Sequence, residues 1–464
     1  MDADTKGEDS WQRCGELEVM WDWLYDMVWE NVALESMRVA CCPYGGPTAM
    51  VRDNRKMVLL RGATAPPLVR IFNCAGHEMG RFMWSGTQVV SMGWSQEQEL
   101  LLVDPKGQVR AFSVHGRQLP LEFSLGEACE TEGIADCCVY SSGVVVLTQA
   151  NHIWAVTDIN EPRPQRLADP PLEDLPRCMD VLVTQNPQGV EVILGCADGI
   201  VVADAQQAIS PDRMLPDDQT LGAVSIIAIS PNGEFVALFV ESGALIVMLQ
   251  DFTTTLLPNF TPPIDGQPLQ MAWCGNDAIV LYYDGVLMLV SSTGDWVTFN
   301  SPEPVVLASE PDGLRVISTK RHRLLRSVDD AMRQVLSPES EGPGRQLFLA
   351  RQAFDEQDAK ADKILRGIKS DLQEAVQTCV EVAGAVWDTN TQRSVLKAAC
   401  YGRAFCNQFP SHTIYEMCQK LRVLNAVRDA AVGWPLTMAQ MDTLTLPVVI
   451  SRWCKQFLCH CLVS

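Results

Sequence analysis

Positive charge is scarce in this chain: 36 Lys and Arg stand against 57 Asp and Glu, for a formal net charge of −21. Nucleic-acid binding draws on clustered Lys and Arg, so a nucleic-acid partner is excluded, and the acidity reads mainly as surface solvation. Long apolar runs are also missing. None reaches the roughly 18 residues that a bilayer span requires. The first residues, MDADTKGEDSW, are acidic where a signal peptide would be basic, which gives the start a cytosolic character. Histidine is rare, with six residues, and there is no phosphate loop, H-E-x-x-H or G-x-S-x-G motif. His77-Glu78 lacks a second histidine one helical turn on, and His152 at a turn reads as solvated rather than catalytic. A Cys-His pair distant in the chain stays open. The 17 cysteines include no Cys-x-x-Cys pair and fall in strand-like runs, as free buried thiols in a reducing compartment would. The sequon Asn259-Phe260-Thr261 is then a chance match. No cofactor or metal is expected.

What is present is length, hydrophobicity and repetition. The 464 residues are 47% hydrophobic, enough for several folded cores. Ala223 to Met248 reads as three short strands broken at Pro231-Asn232-Gly233 and Ser242-Gly243, because the runs are aliphatic and the breaks hold residues that accept positive φ. Val89–Phe112 and Met271–Val290 repeat the unit. Its second turn recurs at Lys106-Gly107, Asn151-His152, Asp198-Gly199, Ser242-Gly243, Asp284-Gly285 and Asp312-Gly313. The steps are roughly 44, 48, 44 and 42 residues and then roughly 28, against a period of about 40–45 for a four-stranded propeller blade. With Thr48–Arg52 and Leu68–Cys74 adding another unit, the count is a seven-bladed β-propeller over residues 1–336, with 1–15 frayed. Leu17–Val39 is ambiguous between strands and a short helix, and four tryptophans lie between Trp11 and Trp29. They pack on the propeller or close its ring; an aromatic docking patch is the alternative.

At residues 337–344, Ser-Pro-Glu-Ser-Glu-Gly-Pro-Gly, the pattern changes to a helical one, predicting a linker and then an α-solenoid over 345–464. Leu347 to Ile368 reads as one long amphipathic helix whose acidic run Asp355–Asp362 forms a solvated face, with a partner patch as the alternative. Ser370-x-x-Gln373 and Thr413-x-x-Glu416 read as capping boxes opening later helices, a further helix runs from about Gln392 to Phe405, and Pro435 and Pro447 start two short ones. Such helical hairpins bury one face on the next.

Four ordered motifs carry a resemblance. They are Pro43-Tyr44-Gly45-Gly46-Pro47, the stretch from Val89 through Trp94 to Leu101, Asp312-Gly313-Leu314-Arg315-Val316, and Leu421-Arg422-Val423-Leu424-Asn425-Ala426-Val427-Arg428-Asp429 followed by Pro435-Leu436-Thr437. In these the chain resembles the N-terminal half of the vacuolar protein sorting-associated protein 16 family, core subunits of the HOPS and CORVET tethering complexes. The resemblance implies a propeller followed by a solenoid and a non-enzymatic scaffold at endosomes and the vacuole or lysosome, cytoplasmic and peripheral on the membrane. It also implies the other core subunits as partners, with Rab GTPases and SNAREs reached indirectly. An SM-type SNARE regulator binds the family's more C-terminal solenoid, a region expected to be absent here. A propeller-solenoid vesicle-coat subunit and a propeller enzyme are the alternatives. After Arg452 the family pattern breaks off, as in a truncated fragment. Cys461-Leu462-Val463-Ser464 also matches a prenylation signal, with Cys461 the lipidated residue. Zinc on Cys454, Cys459, His460 and Cys461 is disfavoured, because adjacent residues on a helix point about 100° apart.

Overall fold

The computed structural model describes residues 11–53, 66–86, 88–184, 189–210, 221–406 and 409–457. Two compact units are present: Gln12–Arg326, with which Ile450 onward groups, and Ser327–Val449. Among the described residues no helix is long and apolar enough to cross a membrane.

The first unit is a ring of seven antiparallel sheets. Blade 1 spans Met37–Met83, blade 2 Ser91–Ser124, blade 3 Ile134–Arg166, blade 4 Cys178–Ile209, blade 5 Val224–Phe260 and blade 6 Gln270–Asn300. Within each blade the strands follow one another in chain order. The second and third strands read as unbroken apolar runs, such as Leu100–Val103 and Ala278–Tyr283, and every residue of those two is buried. Period-two alternation is lost there because a neighbouring blade covers each face. Fourth strands keep the alternation: in Trp296–Asn300 only Phe299 is buried.

Blade 7 is composite. Its order runs Gln12–Cys14, Leu17–Asp26, Arg321–Ser327, Gly313–Ser318, Val305–Glu310, so the N-terminal strands complete the last blade and close the ring. Leu17–Val39 is therefore a long strand, a 3-10 turn at Leu34–Ser36 and the first strand of blade 1. The tryptophans serve closure: Trp21 meets Phe299 edge-on at 5.1 Å, and Trp29 meets Phe72 at 5.6 Å while donating to Thr319 O at 2.8 Å. Trp23 is exposed beneath the Arg321 guanidinium. The short last step in the turn series has a simple cause. Asp312-Gly313 is the first turn of its blade, since Glu310 pairs with Gly313, and the second turn lies near Thr319-Lys320.

The second unit is helical: Asp330–Leu336, Pro343–Asp355, Lys360–Gly367, Leu372–Ala385, Thr389–Arg403, Ser411–Val427, Met438–Leu444 and the start of Leu446–Phe457. Helix begins before residues 337–344, so strand and helix meet near Ser327 rather than at the expected linker. The expected long helix is two, broken at Glu356–Ala359, where Gln357 takes φ 60°. Neither expected capping box forms. Asp371 precedes Leu372 and Pro410 precedes Ser411, both without a side-chain cap. The box that does form joins Thr437 to Gln440, and Pro435 lies outside any helix.

Asp22 and Arg326 hold the closing strand, with Nε 2.5 Å from Oδ2 and both side chains at most 10% exposed. Leaving a buried carboxylate unpaired costs about 3–5 kcal/mol. Arg326→Leu should therefore lower propeller stability by about 3 kcal/mol, and Asp22→Leu/Arg326→Leu should regain most of it, as read by urea unfolding. Equal losses in the single and double variants would show that the pair does not secure closure.

Candidate functional site

Two of the sequence motifs meet in space although they lie about as far apart in the propeller as its chain allows. Cys41 ends the first strand of blade 1 and Thr48 begins the second, leaving Cys42–Pro47 as a turn in which Tyr44 and Gly45 take φ 57° and 66°. Left-handed backbone is cheap for Gly and costly for Tyr. The turn is held by an outside acceptor: Glu310 takes the Tyr44 N–H at 2.8 Å and the Gly45 N–H at 3.0 Å. Glu310 ends the first strand of blade 7, and Arg315 follows on the next strand. Its Nε lies 2.6 Å from Glu310 Oε1, an ionic contact, and the two side chains are 2% and 0% exposed. Arg315 Nη2 donates to Cys42 O at 2.7 Å, and Nη1 faces Gly46 O and Cys74 Sγ at 3.4 Å. Gly313 is required where it stands, because a Cβ there would lie 2.6 Å from Leu325 O.

The shell of this clasp is also buried. The Cys74 thiol faces the Gly45 and Gly46 carbonyls at 3.2 Å, and His322 Nδ1 lies 2.8 Å from Cys74 O. Burial pushes the Cys42 and Cys74 thiols up to about 12, so neither is a nucleophile near neutral pH. Burial, and then the Arg315 charge, lowers His322 to about 3; the ring is neutral and donates through Nδ1. Burial raises the Glu310 carboxyl against the pull of Arg315 and the two amides. For Arg315 burial, the largest single effect, works against the charge, but Glu310 together with Cys74, Cys41 and Cys42 outweighs it, and the charge is held. The Glu310 carboxylate, the Arg315 guanidinium and His322 Nδ1 are spent on one another or on backbone, while His322 Nε2 is buried without a hydrogen-bond partner among the described residues, so what the cluster visibly does is hold backbone.

Several other motif residues are staples as well. Trp94 donates from Nε1 to Ala40 O at 3.0 Å, tying blade 2 to blade 1, and Trp273 does the same to Ala228 O at 2.9 Å between blades 6 and 5. Asp312 sits half-buried at its turn and adds to the upward push on Glu310. In the helical unit Leu421 is buried, Arg428 Nε donates to Leu436 O at 2.8 Å with its guanidinium 4.2 Å from the Trp387 ring centroid, and Asn425 donates to Gln392 Oε1 at 2.9 Å. Asp429 caps its own turn by accepting the Ala431 N–H, and Arg422 points to solvent. The motifs thus form two separate groups, one in each unit. Cys459, His460 and Cys461 lie outside the described residues. Among the described residues no three His, Cys, Asp or Glu side chains are placed to hold a metal. His152 is not simply solvated: Nδ1 pairs with Glu132 at 2.9 Å.

Sequence reasoning passed over Glu310, Cys74 and His322 and quoted Arg315 only as part of a motif. The legible signal was a charge inside the otherwise apolar strand Gly313–Ser318.

Residues 11–415 match the family described as "Vps16, N-terminal region". Protein VACUOLELESS1 of Arabidopsis thaliana is 35% identical over 449 residues, covering 92% of this chain and 52% of that protein. The Vacuolar protein sorting-associated protein 16 homolog of Dictyostelium discoideum is 28% identical over 457 residues, covering 95% and 54%. A probable homolog in Schizosaccharomyces pombe is 30% identical over 439 residues, covering 92% and 52%. The chain thus spans about half the length of the curated relatives it matches. Among solved structures, the β-propeller domain of Myceliophteria thermophila Cps50 (Swd1) aligns at 12% identity and TM-score 0.44, over 66% of this chain and 99% of that one.

Two outcomes follow from the clasp. Glu310→Gln strands the Arg315 charge and should cost about 3–5 kcal/mol, with Glu310→Gln/Arg315→Met recovering much of it in urea unfolding followed by tryptophan fluorescence. An undiminished loss in the double variant would place the energy elsewhere. The second concerns pH. His322 binds a proton in the unfolded chain below about 6.5 but in the folded chain only near 3, so stability is lost as pH falls between those values. The loss should reach about 3 kcal/mol by pH 4 relative to His322→Asn, whose amide can replace Nδ1. Parallel pH profiles for the two proteins would contradict a neutral buried ring.

Proposed function

The chain belongs to the Vps16 family, and from that premise we propose that it is a non-enzymatic scaffold subunit of a membrane-tethering complex of the HOPS or CORVET type. In this reading it works at the cytoplasmic face of late endosomes and the vacuole or lysosome, supporting vesicle docking, SNARE-mediated fusion and vacuolar protein transport. The observation that carries the reading is the match over residues 11–415, joined to a fold in which the motif residues hold backbone in place. Fold alone does not license function, since propellers and solenoids serve many tasks. The names of the relatives, VACUOLELESS1 and vacuolar protein sorting-associated protein 16, point the same way. The partners are the other core subunits, with Rab GTPases and SNAREs reached through them. SM-subunit binding is assigned to the part of the longer relatives that this chain does not span. A lipid on Cys461 would add a membrane contact of the chain's own, a secondary reading carried only by the four-residue pattern.

Affinity purification of the tagged 464-residue chain from cytosol, beside a form extended to the relatives' length, tests this. Both forms should recover the tether's core subunits, and only the extended form should recover the SM-type subunit. Recovery of vesicle-coat subunits instead, or of no core subunit by either form, would overturn it. Cys461→Ser should leave membrane association unchanged if the pattern is fortuitous.

A further inference from the structure

The connection between the first two helices of the second unit holds a serine unlike its neighbours. Ser337 closes helix Asp330–Leu336, its N–H bonding to Arg333 O at 3.2 Å, and takes extended backbone at φ −62° and ψ 129°. Pro338 follows it, and Ser340 N–H bonds back to Ser337 O at 3.2 Å before helix Pro343–Asp355 begins. The Ser337 side chain is half-exposed, and its hydroxyl enters no hydrogen bond among the described residues. Ser340 differs. Its Oγ donates to Gln334 O at 2.8 Å and accepts the Gly342 N–H at 3.2 Å, so that hydroxyl is spent on the turn.

A proline after a hydroxyl residue removes an N–H and favours extended backbone at the residue before it. Four such pairs lie wholly within the described residues, at Ser230, Thr261, Ser301 and Ser337. Ser230 and Ser301 are 3% and 4% exposed, with their hydroxyls bonded to Asn232 and to Glu303 O. Thr261 is exposed, but no Lys or Arg occurs from Met214 to Leu314, so its own blade offers no cation.

Ser337 is flanked by two arginines. Arg333, one helical turn before it, pairs with exposed Asp330 at 2.9 Å, a surface contact open to exchange. Arg345, in the first turn of the next helix, makes no ion pair among the described residues. Its Nη1 reaches Val335 O at 3.4 Å, and its Nε is buried without a hydrogen-bond partner. Val335 stands two residues before Ser337, so this guanidinium lies within a side chain's length of the serine. Glu339 and Glu341, exposed on the same turn, oppose a further anion, as does the partial negative charge at a helix end. Exposed like charges are weak and screened, whereas forked arginine–phosphate bonds are among the strong ones, so the arginines prevail.

We propose that Ser337 is a phosphorylation site for a proline-directed serine/threonine kinase, its phosphate held by Arg345 and Arg333 as a clip between the two helices. Ser337 Oγ bonds to the γ-phosphorus of ATP while the bond from that atom to the bridging oxygen breaks. ADP leaves, and the hydroxyl proton passes to the base of the kinase. Access requires opening only the turn bond from Ser340 to Ser337 O. The site stands whether or not the chain assembles into a tether.

The 464-residue chain, incubated with magnesium, ATP and a cyclin-dependent kinase proved active on a Ser-Pro peptide, tests it, with sites mapped by tandem mass spectrometry. Ser210, whose Pro211 lies outside the described residues, is replaced by Ala throughout. Phosphate should appear on Ser337 and not on Ser230, Ser301 or Ser340, and Pro338→Ala should cut incorporation at Ser337 about tenfold or more. In the product, the second ionisation of the phosphate, followed by phosphorus NMR, should fall about half a unit or more below its usual value of about 6. Arg345→Met should restore the usual value, and Arg345→Lys, which keeps the charge, should retain part of the fall; unchanged melting curves would show that both variants fold. Absence of phosphate from Ser337, incorporation indifferent to Pro338→Ala, or an ionisation unaltered by Arg345→Met would each overturn the assignment.

Discussion

The ion pair of Glu310 with Arg315 is the constraint on which the ring depends. Removing two charges from water costs several kcal/mol each, and an apolar pair of equal volume is often as stable. What an apolar pair could not do is satisfy the Tyr44 and Gly45 amides and the Cys42 carbonyl, which face inward at a turn with left-handed backbone. An orphaned buried backbone group costs about as much as a lost hydrogen bond, so the turn needs charged, long-armed partners. They reach it from residues more than 260 positions away in sequence. The contact therefore forms only when the last blade lies beside the first.

This dependence explains the composite blade. Hydrophobic faces make neighbouring blades adhere but tolerate slips of register, because the middle strands are apolar on both faces and carry no alternation to enforce a choice. Directional contacts supply the choice. Trp94 and Trp273 each tie the first strand of one blade to that of the blade before it, and Asp22 with Arg326 fixes the N-terminal strand against its partner. Closure is thus written in a few polar and aromatic residues set into an apolar ring.

The same logic sets how much could be read from the sequence. Blades 2 to 6 were legible because each has a second turn, with Gly, Asn or Asp, that recurs at a nearly constant interval, and blade 1 from the strand pair Thr48–Arg52 and Leu68–Cys74. Blade 7 was not, since two of its strands come from the other end of the chain and its first turn mimics a second turn. Helices were legible from their apolar period, but their ends were not. Ser370 and Thr413 have the right neighbours for capping boxes, yet Asp371 and Pro410 precede the first helical residues. Thr437, with Gln440 three residues on, had the same spelling and does form the box. The clasp was half legible: Tyr44, Gly45 and Gly313 stood out as turn residues, whereas Glu310, Cys74 and His322 take their meaning from neighbours far along the chain.

Most of the residues on which the resemblance was read secure backbone. Arg428 holds the Leu436 carbonyl beside Trp387, and Asn425 reaches Gln392, which itself donates to the Val386 carbonyl. These positions report the fold and leave the surface unconstrained. The exposed surface is acidic on several propeller turns, as at Asp198 and Asp284, and aromatic where Phe354, Tyr401 and Phe405 cluster on the helices. A chain can keep every clasp and staple described here and still change its exposed turns, because the clasp and staple side chains are spent inside the fold.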